Sequence, residues 1–193
     1  MRKNAGETFE ELIRWQNQRY KAAGEAIIIK VPTEFKPIRN AEGRIYTSKV
    51  EHKSTVDFIG RIGRYPVAIE AKHTEADRIS LIEIKDHQAE FLDAWSRSGF
   101  ASVIVSFGMR EFYLVPWDVW GTARKLWQQK TGNKAAKVQI HYTNKRKSLV
   151  GVEAHVQTWH YNGMGSIHKN DMDPAWKIGC NGQNGLPYLE AIL

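Results

Sequence analysis

Lys53-Ser54-Thr55-Val56-Asp57-Phe58-Ile59-Gly60-Arg61-Ile62-Gly63-Arg64-Tyr65-Pro66-Val67-Ala68-Ile69-Glu70-Ala71-Lys72 is the stretch on which the reading of this chain turns. A β-branched run, a turn carrying Gly60 and Gly63, and a second apolar run make a hairpin signal. Taking Arg61 to Arg64 as the loop sets Gly60 opposite Tyr65 and Asp57 opposite Ala68. Paired residues share a face, and every second residue returns to it. Asp57 therefore falls on the face of Ala68, Glu70 and Lys72: two carboxylates and an amine on one side of a two-stranded unit.

That grouping has a chemical logic. Phosphodiesters repel nucleophiles, so their cleavage is helped by a hard cation that neutralises charge and lowers the pKa of an attacking water. Mg²⁺ and Mn²⁺ take oxygen ligands, and one or two carboxylates plus substrate oxygens suffice. Lys72, partly desolvated beside such an ion, could orient or deprotonate the water, or stabilise the developing phosphorane charge. Glu70 follows the apolar run Pro66-Val67-Ala68-Ile69, where an unpaired acid would be costly.

The 193 residues are enough for one substantial α/β domain with an appendage. No run of eighteen apolar residues and no secretory segment is evident, which predicts a cytoplasmic protein with no membrane partner. The single Cys180 excludes a disulfide framework within the chain and any multi-cysteine zinc site. A net charge of +7 points to a polyanion such as nucleic acid. The charge is uneven: Val119 to Val152 contains no acid but carries Arg124, Lys125, Lys130, Lys134, Lys137, Lys145, Arg146 and Lys147. Phosphate contacts from Arg124, Lys125, Lys145, Arg146 and Lys147 would give salt-sensitive, sequence-independent affinity.

Along the chain, the spacing of Phe9, Leu12, Ile13, Gln16 and Tyr20 predicts a helix over 8–23. A strand over 26–31 follows, stopping at Pro32. Residues 33–53 read as a long hairpin-like excursion or a mobile loop carrying Lys36, Arg39, Arg44 and Lys49. Beyond the central hairpin lie a mixed connection to Ile84, then a helix with Asp86 as N-cap that ends near Gly99 and turns Leu92 and Trp95 inward. Strands over 100–107 and 111–115 turn at Gly108-Met109; a helix over 117–129 and strands over 138–143 and 149–157 complete the pattern.

This order resembles the core of the PD-(D/E)xK nucleases, and at several separate points the chain resembles the RecU-type Holliday junction resolvases. Gly6-Glu7-Thr8-Phe9-Glu10 with Asn17 and Tyr20 is similar to that family's first helix, and Ile29-Lys30-Val31-Pro32-Thr33 to the strand entering its stalk. Lys53 to Phe58 and Ile69 to Lys72 resemble its catalytic hairpin; Asp86-His87-Gln88 and Ile104-Val105-Ser106-Phe107 resemble segments that follow it. Val56 stands where the superfamily's name calls for proline, which RecU-type proteins also lack, and residues from about 119 onward match none of these motifs.

The resemblance implies a restriction-endonuclease-like α/β fold: a mixed central β-sheet flanked by helices, with a protruding stalk and a basic C-terminal extension. The expected division is a nuclease core over 1–118, with a stalk at about 33–53, and an extension over 119–193 packed on or continuing the core. It implies a homodimer that holds a four-way DNA junction and cuts two opposing strands by paired symmetric nicks. Related nucleases acting on other branched or duplex DNA, and a non-catalytic DNA-binding protein, are the alternatives. Carried over residue by residue, Asp57 and Glu70 would hold Mg²⁺, with Mn²⁺ able to substitute, and Lys72 would be the catalytic lysine. Glu10 matches a helix acid that approaches the metal; Gln88 would bind phosphate or the attacking water; Ser54 and Thr55 would donate to a phosphate. The stalk cations Lys36, Arg39, Arg44 and Lys49, with Phe35 and Tyr46, suit contact with the junction centre, although a packed dimer arm accounts for them equally well.

Overall fold

A computed structural model describes residues 5–52, 55–129, 138–143, 156–161, 165–179 and 185–191. Helix α1 (Ala5–Ala22) begins three residues before the predicted start. It buries Phe9, Ile13, Gln16, Asn17 and Tyr20, a stripe at helical spacing, with Glu7 in its first turn and Arg19 and Lys21 in its last, as the helix dipole favours. Five strands then form the central sheet: β1 (Ala26–Lys30), β4 (Phe58–Ile62), β5 (Tyr65–Thr74), β7 (Phe100–Phe107) and β8 (Glu111–Pro116). They lie in the order β1-β4-β5-β7-β8, antiparallel except for the parallel pair β5–β7. Strand β7 is buried after its first residue and β5 over Val67 to Ala71, as a sheet covered on both faces requires.

The β4–β5 hairpin is tighter than the expected four-residue loop. Ile62 pairs with Tyr65, leaving only Gly63 and Arg64 in the turn. Gly63 takes a positive φ of 56°, which a two-residue hairpin needs at its first central position and glycine supplies without strain. The register therefore moves by two residues, and its extension sets Asp57 across from Glu70 rather than Ala68. Because the side-chain period is two, this error leaves the faces unchanged. Gly60 answers a different need: a Cβ there would run into the backbone of Ile27 and Ile28 on β1.

Two apolar layers sandwich the sheet. On one face, Phe9 and Ile13 of α1 pack with Phe58, Ile69, Ala71, Ile104, Phe112 and Leu114. On the other, α2 (Asp86–Trp95) and α3 (Trp117–Gln128) cover Ala68, Val103, Val105 and Val115 with Ala89, Leu92, Trp117 and Trp120. Helix α2 starts one residue after its N-cap, Lys85, so Asp86 is its first residue and not its cap. It ends at Trp95, and Trp95 and Phe91 are only partly buried beside Ala89 and Leu92.

The excursion before the central hairpin is itself a hairpin, β2 (Glu34–Arg39) with β3 (Ile45–His52), forming a separate two-stranded sheet. Its turn is closed by the Asn40 N–H donating to the Arg44 carbonyl, the Gly43 N–H donating to the Asn40 carbonyl, and the Asn40 side chain, which accepts from the Arg44 N–H at 2.9 Å. After β5, β6 (Arg78–Ser80) pairs with β11 (Ser166–His168). A further pair joins β9 (Val138–Thr143) to β10 (Val156–Tyr161); residues 149–155 of the strand expected over 149–157 lie outside the described residues. Helix α3 runs across position 118/119, and its Val119, Trp120 and Ala123 are buried in the same cluster as Val103 and Val105. Ile167 and Trp176 join that cluster, whereas Ile178, Leu186 and Tyr188 join the one under α1. Among the described residues no helix is long and apolar enough to cross a membrane.

Candidate active site

The grouping read from the hairpin forms where β4 begins. Past Phe58 the ladder has no further β4 residue to pair with β5, and the Asp57 side chain takes that place: its Oδ2 accepts the Ala71 N–H at 2.8 Å. The carboxylate is thus fixed by backbone as well as by its strand.

Glu70 sits at the buried centre of the sheet, on the face covered by α2, with only 1% of its surface exposed. One carboxylate oxygen, Oε1, accepts two short bonds: Lys72 Nζ at 2.6 Å and Gln88 Nε2 at 2.6 Å. Gln88 is itself held, because its Oε1 accepts the Lys85 N–H at 3.0 Å at the start of α2. The N-terminus of α2, the centre of β5 and the start of β4 are therefore tied into one constellation of Asp57, Glu70, Lys72 and Gln88.

The other Glu70 oxygen, Oε2, is buried with no hydrogen-bond partner. Such an orphan on a charged group is expensive unless something positive completes it. The electrostatics agree. Burial first, and the negative charge of Asp57 second, raise the Glu70 pKa from 4.5 to about 7; the Lys72 ammonium pulls it down without cancelling them. Two carboxylates share the one ammonium of Lys72, and oxygen donors are what a hard divalent cation takes. Among the described residues no group of three or more His, Cys, Asp or Glu side chains could hold a metal ion; Asp57 and Glu70 are the two carboxylates of this constellation. The residues present fit Mg²⁺ or Mn²⁺ on these terms.

The remaining candidates are placed differently. Glu10, on α1, forms an ion pair with Lys30 at the end of β1; α1 covers the sheet face opposite the one under α2. Thr55 is exposed, and Ser54 lies outside the described residues. Arg39 and Arg44 are exposed at the β2–β3 turn, Arg39 donating to the Gly43 carbonyl at 2.8 Å, and the register sets Lys36 opposite Lys49. Arg124 is buried in α3 and pairs with Asp86, while Lys125 reaches Asp93 at 2.9 Å. These two cations pin α3 to α2, the helix that carries Gln88. Lys145, Arg146 and Lys147 lie outside the described residues.

A profile of the recombination protein U family, RecU, matches residues 4–165. The chain belongs to the RecU family. The match runs well past position 116, where the motif resemblance stops, and takes in α3, β9 and β10. Holliday junction resolvase RecU of Streptococcus pneumoniae (strain Hungary19A-6) is 29% identical over 121 residues, covering 58% of this chain and 61% of that protein. Its counterpart in Streptococcus sanguinis (strain SK36) is 28% identical over 121 residues, covering 58% and 60%. This RecU-family chain thus spans about three fifths of the length of the curated relatives it matches. A solved structure of Archaeoglobus fulgidus Hjc, a Holliday junction resolvase from an archaeal hyperthermophile, overlaps with a TM-score of 0.38 and 16% identity, covering 58% of this chain and 72% of that one.

Proposed function

We propose that this protein is a Mg²⁺-dependent endodeoxyribonuclease that resolves four-way DNA junctions, acting as a homodimer in the cytoplasm. The observation that carries the reading is the buried, half-satisfied Glu70 beside Asp57, with Lys72 and Gln88 on its other oxygen, in a chain of the RecU family.

A cation held by Asp57 and Glu70 would supply charge neutralisation at the scissile phosphate and acidify a nearby water. The side chains do the rest. Gln88 and the Ala71 N–H fix the two carboxylates in place, so little reorganisation is left for the moment of reaction. Lys72, one-fifth exposed, can turn its ammonium from Glu70 Oε1 toward an incoming phosphate, orienting the attacking water or sharing the charge that develops on the phosphoryl oxygens. Thr55 with its neighbour Ser54, Lys36, Arg39, Arg44 and Lys49 of the β2–β3 hairpin, and Lys145, Arg146 and Lys147 beyond it would contact DNA phosphates.

Cleavage of a labelled four-way junction, beside matched duplex and a Y-fork, tests this reading. Paired symmetric nicks on the junction, lost with EDTA and with Glu70→Ala, are expected. Equal cutting of all three DNAs would replace junction resolution with a less selective nuclease. Tight binding without cutting in Mg²⁺ and in Mn²⁺ would refute the enzyme.

A further inference from the structure

We infer that the groove between α1 and β1 is a binding site for a phosphate-class anion, built from Arg14, Asn17, Gln18 and Lys21 on the helix and Lys30 on the strand. Positions 14, 17, 18 and 21 stand at i, i+3, i+4 and i+7, so they share one face of α1. That face and the end of β1 border an open groove of about 440 Å³, within the roughly 300–1,000 Å³ of small-ligand sites. The lining contains three cations and no carboxylate. Lys30 is paired with Glu10, but Arg14 and Lys21 are exposed and have no carboxylate partner among the described residues.

Asn17 supplies an independent indication. It is 4% exposed, its Oδ1 accepts the Tyr188 hydroxyl, and its Nδ2 is buried with no partner. Tyr188 fixes the amide from behind: its ring meets Tyr20 edge-on at 5.4 Å, and the Tyr20 hydroxyl is held by the Leu189 N–H at 3.1 Å. Asn17 lines this cationic groove and carries a buried amide donor that has no acceptor. Arg14 and Lys21, exposed on the same helix face and without a carboxylate partner among the described residues, favour an anionic acceptor, and phosphate oxygens suit both the cations and the amide.

The location gives the groove a use. Lys30 pairs with Phe58, the residue after Asp57, and the Val31 N–H donates to the Asp57 carbonyl at 2.8 Å. The groove therefore adjoins the start of β4, which Asp57 immediately precedes, at the point where the chain leaves for the β2–β3 hairpin. A nucleic-acid phosphodiester and a free phosphate compound present the same chemistry. The inference goes beyond the nuclease reading, because an anion seat here requires neither metal nor cutting, and a protein inert toward all DNAs could still have one.

The test uses the full chain and the double variant R14A/K21A, with matching melting midpoints as the control for folding. Inorganic phosphate, titrated against chloride at equal ionic strength, should shift the Asn17 side-chain amide signals in ¹⁵N-edited spectra of the wild type and not of the variant. For labelled duplex and four-way junction, removal of two phosphate contacts should flatten the log–log salt dependence of affinity by about 1–2. A flattened slope identifies nucleic acid as the source; an unchanged slope with a phosphate response lost in the variant identifies a free phosphate compound, and both support the site. R14K/K21R should retain the phosphate response. An Asn17 signal unmoved by phosphate, or moved equally in R14A/K21A, together with an unchanged salt slope would overturn the inference.

Discussion

Two clusters of carboxylates and lysines, at different depths, behave in opposite ways. At the surface, Lys169 bridges Asp77 at 2.8 Å and Glu111 at 3.4 Å, and Lys177 approaches Glu111 at 3.3 Å. There the lysine hydrogen bonds hold the carboxyls of Asp77 and Glu111 below their ordinary values. In the sheet centre, Lys72 lies closer to Glu70, at 2.6 Å, yet Glu70 is raised to about 7. Distance to a lysine does not decide the sign; burial and the neighbouring Asp57 do. The surface cluster is complete in itself. The buried one leaves Glu70 Oε2 without a hydrogen-bond partner.

The largest predicted effect separates the two clusters at once. Glu70→Gln should reduce metal-dependent cleavage at least about a thousandfold. The same change should stabilise the metal-free protein above pH 7, by up to on the order of 3 kcal/mol. The sign follows from the raised pKa: folded Glu70 holds its proton up to about 7, so the stability linked to that proton is fully present below 4.5 and lost as pH rises through about 7. Urea unfolding in EDTA at pH 5 and pH 8 measures this, and equal stabilisation at both would break the contrast. Asp77 and Glu111 run the other way, their stabilisation being lost as pH falls through their lowered values.

Smaller effects sharpen the comparison. Gln88→Ala, which frees Glu70 without touching its charge, should lower cleavage by roughly 10–100-fold in a single-turnover assay while binding of the junction persists. Asp86→Ala should cost about 1–3 kcal/mol by leaving the buried Arg124 guanidinium without its counter-charge, as read by thermal melts. Glu111→Gln should leave both cleavage and the melting temperature indistinguishable from wild type, since exposed pairs contribute little. A clear loss there would mean the surface cluster is more than a solvated network.

Much of the site was legible because strand parity is robust. The turn after Ile62 is two residues long instead of four, yet a shift of two keeps Asp57, Glu70 and Lys72 on one face. The D-H-Q segment likewise pointed to Gln88, although periodicity alone could not show that it would reach Glu70 from α2. Long-range pairing was not legible. Arg124 belongs to a stretch without a single acid, which read as phosphate-binding, but its partner Asp86 stands 38 residues earlier on a neighbouring helix. A count of charge along the chain cannot see a carboxylate that folding brings from elsewhere. Glu10 presents the same difficulty: its ion pair is with Lys30, across the α1–β1 seam.

The most direct test of the central claim is calorimetric titration of Mn²⁺ into wild type and Glu70→Gln at pH 6.5, in two buffers of different ionisation enthalpy. If Asp57 and Glu70 form the cation seat, binding to wild type must displace the Glu70 proton, so the measured heat will depend on the buffer and the dependence will vanish in the variant. Binding with no proton release, or binding of equal strength to both proteins, would contradict the account.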